Sequence, residues 1–427
     1  MKKLFVISFE GLNYKLLTEF MEMGNLPNFK RVSIEGGLEE INCSRIPYEA
    51  SGLVSALSGK EDSEHGVFSY WRTRNRDYRP EVYQSEDVKH HMFWNQRFCK
   101  GYRVGIVNVF GTHPVYKVDG VLISYAMNRT LRYAFPPDLM RRLTKSGFGY
   151  VQDMGAFYKN DGKESLLKQV IKVEKMRHAI CQELYKDDLD VYVINYTCID
   201  RVCHFFMDEL KDDAMPLEEK AVYRMYQLSD EILGDILQYV DAHGSELILF
   251  SSVGFGELEK FVEINPYLEK EGFLKRVSER GIDFDHTLAF EAPQGVHGIN
   301  INTEDFYARG IVKADNYNIV LSEVADALRQ MINPYNKKPM FAQVAKGKEF
   351  YQGNKEAPDL ILEPYDWNYL PYGDNYWADI VGRHNQTGWH RNKSVWGRMG
   401  YHMNQEAFQQ VSCLKDIYRE IERTILI

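Results

Sequence analysis

The segment Asp200-Arg201-Val202-Cys203-His204 has the residue types and spacing best suited to chemistry. Residues four apart on a helix share a face. A helix beginning near Asp200 therefore sets its carboxylate beside the His204 imidazole. Together these two groups can hold one divalent cation. The same residues also fit an aspartate that caps a helix above a packed core histidine, and spacing alone leaves both readings open.

The elements that must position this segment are legible as apolar runs. Leu4 to Phe9 ends abruptly at Glu10-Gly11, the pattern of a fully buried parallel strand whose carboxyl end meets a turn. Comparable runs are Val104 to Val109, Val121 to Ser124, Val191 to Tyr196 and Leu247 to Phe250. Segments of helical periodicity lie between them, including Pro216 to Tyr239, which then reaches Gly244 as a stop. Strands alternating with helices predict an α/β/α sandwich around a mostly parallel sheet. Ligands of such sheets sit beyond the carboxyl ends of the strands. Glu10 and the residues after Tyr196 and after Phe250 all occupy that edge, so three distant turns are expected to converge.

From about Asn265 the texture changes to shorter apolar runs, with a helix expected over Val320 to Met331. The expected division is a core of residues 1–264 and 355–427 with a smaller cap over 265–354. Tyr365 to Trp389 is rich in aromatics, Asn, Gly and Pro, which suits an ordered loop over the site. Half or more of Trp367, Tyr369, Tyr372, Tyr376, Trp377 and Trp389 are expected in packing.

Hydrophobic residues make up 44% and charged residues 26%, an ordinary balance for a globular chain with a sizeable core. A net charge of -9 argues against a nucleic-acid surface, which is usually basic. No apolar run approaches the roughly 20 residues of a membrane span. The apolar run after Met1-Lys2-Lys3 stops at Glu10 with no cleavage site behind it, so a cytoplasmic protein is expected. Cys43, Cys99, Cys181, Cys198, Cys203 and Cys413 show no CxxC or disulfide-framework spacing and are expected as reduced thiols.

Ile199-Asp200-Arg201-Val202-Cys203-His204-Phe205-Phe206 resembles a segment of the cytoplasmic type I phosphodiesterase/nucleotide pyrophosphatase-like proteins of the alkaline phosphatase superfamily. Further matches follow in order along most of the chain. They are Leu26-Pro27-Asn28-Phe29, Ser58-Gly59 through His65-Gly66-Val67, Gly105-Ile106-Val107-Asn108-Val109 with Thr112-His113-Pro114, Asn302 with Gly310 and Val312, and Ala357-Pro358-Asp359-Leu360. The resemblance implies a first metal site of Asp200, His204 and His390, the last within Thr387-Gly388-Trp389-His390-Arg391. Two imidazoles and a carboxylate leave a coordination position open, as in catalytic zinc sites. It implies a packed thiol at Cys203 and a loop histidine at His65. His90-His91 has no third ligand nearby in sequence. Arg391 and Trp389 are candidates for contact with substrate.

The second metal site of that family departs from its pattern here. Its strand-end Asp is Glu10, one methylene longer, and its Asp-His pair falls on Ser252 and Val253 of Ser251-Ser252-Val253-Gly254-Phe255-Gly256. Counting back from Ser58-Gly59 places the nucleophilic hydroxyl position on Glu49, within Ile46-Pro47-Tyr48-Glu49-Ala50-Ser51. Ser51 lies two residues on, but a helix starting near Ala50 would aim it elsewhere. Glu10 and Glu49 have three readings: they hold a weak second cation, Glu49 acts as general base, or both pair with a basic side chain.

The expectation is a divergent metal-dependent enzyme that acts on a phosphorylated or acyl small molecule through one divalent metal, zinc, without the usual Thr/Ser nucleophile. Glu49 would be catalytic, Asp200, His204 and His390 would be metal ligands, and Glu10 and Ser252 would line a polar pocket. One alternative is a catalytically inactive relative that binds a ligand or partner. Another is a two-metal phosphodiesterase with Glu10 and Glu49 as replacement ligands. No nucleic-acid or membrane partner is expected, and homo-oligomerisation is left open.

Overall fold

The computed structural model describes residues 3–79, 81–127, 130–150, 162–278, 281–293, 295–351, 353–373, 385–400 and 410–426. The chain forms two compact units, one of residues 1–60, 84–257 and 385–427 and one of residues 61–83 and 258–384. The second unit contains all of 265–354 and also takes in 61–83, 258–264 and 355–384.

In the first unit eight strands form one sheet in the order Gly37–Asn42, Lys393–Met399, Glu246–Phe250, Leu4–Phe9, Val191–Tyr196, Val104–Val109, Gly120–Ser124 and Ala134–Phe135. The run from Glu246–Phe250 to Gly120–Ser124 is parallel throughout. Lys393–Met399 and Ala134–Phe135 run antiparallel to their neighbours. The apolar runs became strands because both faces are covered. Phe5, Ile7 and Phe9 pack into a core with Leu17, Phe29, Tyr226 and Leu233, while Leu4 and Val6 on the opposite face are equally buried. Each such side chain contributes about 1.5–3 kcal/mol by leaving water.

The crossover helix spans Ala221–His243, later than 216–239, because Pro216 leads into a short 3-10 turn over Leu217–Glu219 first. Gly244 ends it. In the second unit a four-stranded antiparallel sheet runs Ala289–Glu291, Gly298–Ile301, Leu360–Pro364, Phe341–Lys346. The helix Tyr317–Arg329 contributes Val320, Leu321, Val324 and Leu328 to its core. Among the described residues no helix is long and apolar enough to cross a membrane.

Candidate metal centre

Three turns meet at the carboxyl edge of the parallel strands. Gly11 sits at φ +89°, and a Cβ there would lie 2.8 Å from the Asp200 Cα, so only glycine lets the turn after Leu4–Phe9 lie on the start of the next helix. The Asp200 amide donates to the Glu10 carbonyl at 3.0 Å. The Gly11 and Leu12 amides both donate to Ser251 Oγ at 3.1 Å, and Ser251 Oγ donates to the Val253 carbonyl at 2.6 Å. The residues after Phe9, Tyr196 and Phe250 are thus fastened to one another.

The helix Cys198–Phe206 carries Asp200 and His204 one turn apart, and all nine of its residues are buried. Its first amides need acceptors. Glu174 Oε1, from the helix Gly162–Leu184, accepts from the Thr197 amide at 2.6 Å and the Cys198 amide at 2.8 Å. Arg177 pairs with Glu174 and donates to Thr197 Oγ1 at 3.2 Å.

His390 arrives on the strand Gly388–Arg391, which pairs antiparallel with Gly254–Glu257 and sets His390 opposite Phe255. This strand lies against the Cys198–Phe206 helix because position 388 is glycine, where a Cβ would fall on the Cys203 carbonyl oxygen. The Thr387 amide donates to the His204 carbonyl at 2.8 Å. His204 Nδ1 lies 3.4 Å from the Gly388 carbonyl, which can only accept, and a proton on Nδ1 would leave the Nε2 lone pair for a cation. That Nε2 lies 3.5 Å from Asp200 Oδ2. His390 Nε2 lies 3.1 Å from Asp200 Oδ1 and 3.3 Å from Glu49 Oε2.

Glu49 opens the helix Glu49–Ser58, where a carboxylate suits the positive end of the dipole. A Cβ on Gly52 would overlap the Ser252 carbonyl oxygen, so the first turn of that helix sits directly on the Ser251–Val253 turn. Asp200, His204 and His390 offer donor atoms that all lie within 4.8 Å of one another, as do Glu10, Glu49 and Asp200. All five side chains are buried. Glu10 Oε1 and Glu49 Oε2 have no hydrogen-bond partner. Two imidazoles, a shared carboxylate and open carboxylate oxygens fit a divalent cation that takes nitrogen and oxygen ligands.

Arg201 closes the other side. Its Nη1 donates to Asp200 Oδ2 and lies 3.6 Å from Glu10 Oε1, and its Nη2 donates to Tyr125 Oη at 2.8 Å. Asn195 Nδ2 donates to Glu10 Oε2 at 2.7 Å. Burial pushes the Glu10 carboxyl well above the usual carboxylate range, with Arg201 pulling against it and Asp200 and Glu49 adding to it. Burial also pushes Asp200 upward, but His204 and Arg201 outweigh it and hold Asp200 well below the usual range. Burial lowers His204 despite Asp200. For His390 burial works downward, yet Glu49 and Asp200 carry it above the ordinary imidazole value.

The remaining sequence candidates are placed as follows. The Ser252 side chain is buried and its Oγ has no hydrogen-bond partner. Ser51 Oγ is 3.0 Å from Ser44 Oγ. Trp389 is buried, with its ring 4.8 Å from those of His204 and His390. The Arg391 guanidinium donates to the main-chain carbonyls of Trp389, His390 and Glu257. His65 Nδ1 accepts from the Val67 amide at 3.0 Å, and the His90 and His91 rings stand 3.8 Å apart. Tyr376 and Trp377 lie outside the described residues. The roles of Arg201, Glu174, Asn195 and Tyr125 escaped the sequence reading. Arg201 adjoins Asp200, but neighbours on a helix ordinarily diverge, so adjacency gave little signal.

The same fold occurs in a solved phosphonoacetate hydrolase, a nucleotide pyrophosphatase/phosphodiesterase and an alkaline phosphatase. A phosphonoacetate hydrolase from Sinorhizobium meliloti 1021, solved with phosphonoformate, superposes with a TM-score of 0.67 at 11% identity over 99% of this chain and 96% of that one. Murine ectonucleotide pyrophosphatase/phosphodiesterase 5, an inactive form in complex with AMP, gives 0.57 at 14% identity over 100% and 96%. The wild-type alkaline phosphatase PafA gives 0.61 at 11% identity over 100% and 96%. No curated protein matches this sequence. Residues 4–391 match the model of the type I phosphodiesterase/nucleotide pyrophosphatase family, and the chain belongs to that family.

Proposed function

We propose that this protein is a metal-dependent enzyme acting on a phosphorylated or acyl small molecule through one divalent cation, zinc, held by Asp200, His204 and His390. The observation that carries the reading is the convergence of those three buried donors within 4.8 Å. A cation bound there supplies Lewis acidity toward a substrate oxygen or a water molecule. Glu49 Oε2 is an open acceptor beside the ligand set and can take the proton of an attacking water. That oxygen lies 3.3 Å from His390 Nε2, which puts the carboxylate at the edge of the ligand set. Glu49 occupies the position where the family pattern has a hydroxyl nucleophile, and the nearby Ser51 hydroxyl pairs with Ser44. A route without a covalent enzyme intermediate follows. The structural neighbours solved with phosphonoformate and with AMP support a phosphoryl or phosphonyl group as the substrate's reactive part.

A second reading has one observation in its favour. Glu10, Glu49 and Asp200 also gather within 4.8 Å and could hold a second cation. Metal analysis of the purified protein separates the two. One equivalent per chain, lost in His390→Ala, is expected, whereas two tight equivalents would overturn the single-metal reading. A relative that only binds ligands would turn over no phosphoester or phosphonate substrate with the metal in place.

A further inference from the structure

Three buried carboxylates, Glu10, Glu49 and Asp200, share one edge of the sheet, and a buried guanidinium reaches two of them. Arg201 is held on three sides: Nη1 donates to Asp200 and faces Glu10 Oε1, while Nη2 is fixed by Tyr125 Oη at 2.8 Å. It is therefore engaged in the protein's own framework. Isolated buried charge is costly, so three ionised carboxylates need a matching positive charge. With all three ionised, one guanidinium and one divalent cation balance the set. Two divalent cations beside Arg201 would leave an excess of two positive charges. Glu10 Oε1 and Glu49 Oε2, both without hydrogen-bond partners, point to a cation-sized demand that the guanidinium meets only in part, at 3.6 Å from Glu10.

We propose that Arg201 is a built-in cation standing in for a second metal, and that Glu10, Glu49 and Asp200 form a latent divalent-cation site that Arg201 keeps closed. The inference rests on the single-metal reading above. Asp200 would be shared, its Oδ1 toward His390 and its Oδ2 toward both His204 and Arg201. Removing the guanidinium charge frees Asp200 Oδ2 and Glu10 Oε1 together, leaving an oxygen-rich cluster suited to a hard cation such as Mn2+.

The test is calorimetric titration of zinc-loaded protein with Mn2+, read against total metal by elemental analysis. Wild type and Arg201→Lys should take no further equivalent. Arg201→Gln should take one, and Arg201→Gln combined with Glu49→Gln should lose it again. An Arg201→Gln protein that keeps its zinc and native circular dichroism yet takes no Mn2+ overturns this inference and leaves the single-metal reading standing. Wild-type protein that binds two tight equivalents sinks the single-metal reading itself. Should Arg201→Gln fail to fold, Glu10→Gln decides. Unchanged zinc content in that variant supports Arg201 as the partner of Glu10, and loss of zinc makes Glu10 a ligand and overturns the inference.

Discussion

Glu174 fixes the start of the helix that carries Asp200 and His204, although it is hydrogen-bonded to neither. It is 1% exposed, it accepts from the Thr197 and Cys198 amides at 2.6 and 2.8 Å, and its partner Arg177 is 0% exposed. Glu174→Ala strands two buried amides and an uncompensated guanidinium. Breaking a buried ion pair costs about 3–5 kcal/mol, and leaving a buried donor unmet costs about 1–3 kcal/mol more. Because these costs overlap, a loss of about 4 kcal/mol in urea unfolding followed by tryptophan fluorescence is expected. Glu174→Gln keeps an amide acceptor and loses only the charge, so it should fall between the two. Since the displaced helix start carries both Asp200 and His204, affinity for the proposed zinc ion in Glu174→Gln should drop by about 10- to 100-fold, the range seen when supporting groups of metal ligands are removed. Stability within about 1 kcal/mol of wild type in Glu174→Ala would refute the energetic reasoning. Lost stability with unchanged zinc affinity in Glu174→Gln would refute the positioning role.

Gly11→Ala meets both a positive φ and the Asp200 backbone, so on the proposed metal reading it should lower zinc content even in protein that retains native circular dichroism. His178, buried between Tyr196 Oη at 2.8 Å and Asp235 at 3.1 Å, has its basicity lowered by burial against the opposing pull of Asp235. Its native state favours the neutral ring, so its stability contribution is complete above about pH 6.5 and falls as acid protonates the unfolded chain, by at most about 1.4 kcal/mol per pH unit. His178→Gln should therefore flatten the stability profile between about pH 6.5 and 5, and an unchanged slope would count against it. Cys99, Cys181, Cys198 and Cys203 are buried, and burial pushes their thiols up, Cys99 and Cys181 to about 12. A thiol reagent should therefore label at most Cys43 and Cys413 in native protein, and all six after denaturation.

The parallel strands were readable because strands buried on both faces need uninterrupted apolar runs, as Leu4–Phe9 and Val191–Tyr196 show. The Asp200 and His204 pair was readable as a helical spacing, but only a family resemblance linked it to His390. Nothing local announces that His390 will face Phe255 across a two-stranded ribbon, since such pairing is settled by glycine-dependent close approach at position 388. Glu174 was invisible for a related reason. A glutamate near an arginine on a long helix reads as an exposed i,i+3 pair until the fold buries both. The start of the Ala221–His243 helix was missed because Pro216 opened a different turn first.

Asp200, His204 and His390 are 0%, 2% and 1% exposed. Were these three the ligands of the proposed cation, both the exchange of that ion and the entry of substrate to it would wait on a local opening of the fold. The identity of the resident cation would then be decided when the chain closes around it, and would reflect which ions were at hand at that moment as much as the preference of the ligands themselves.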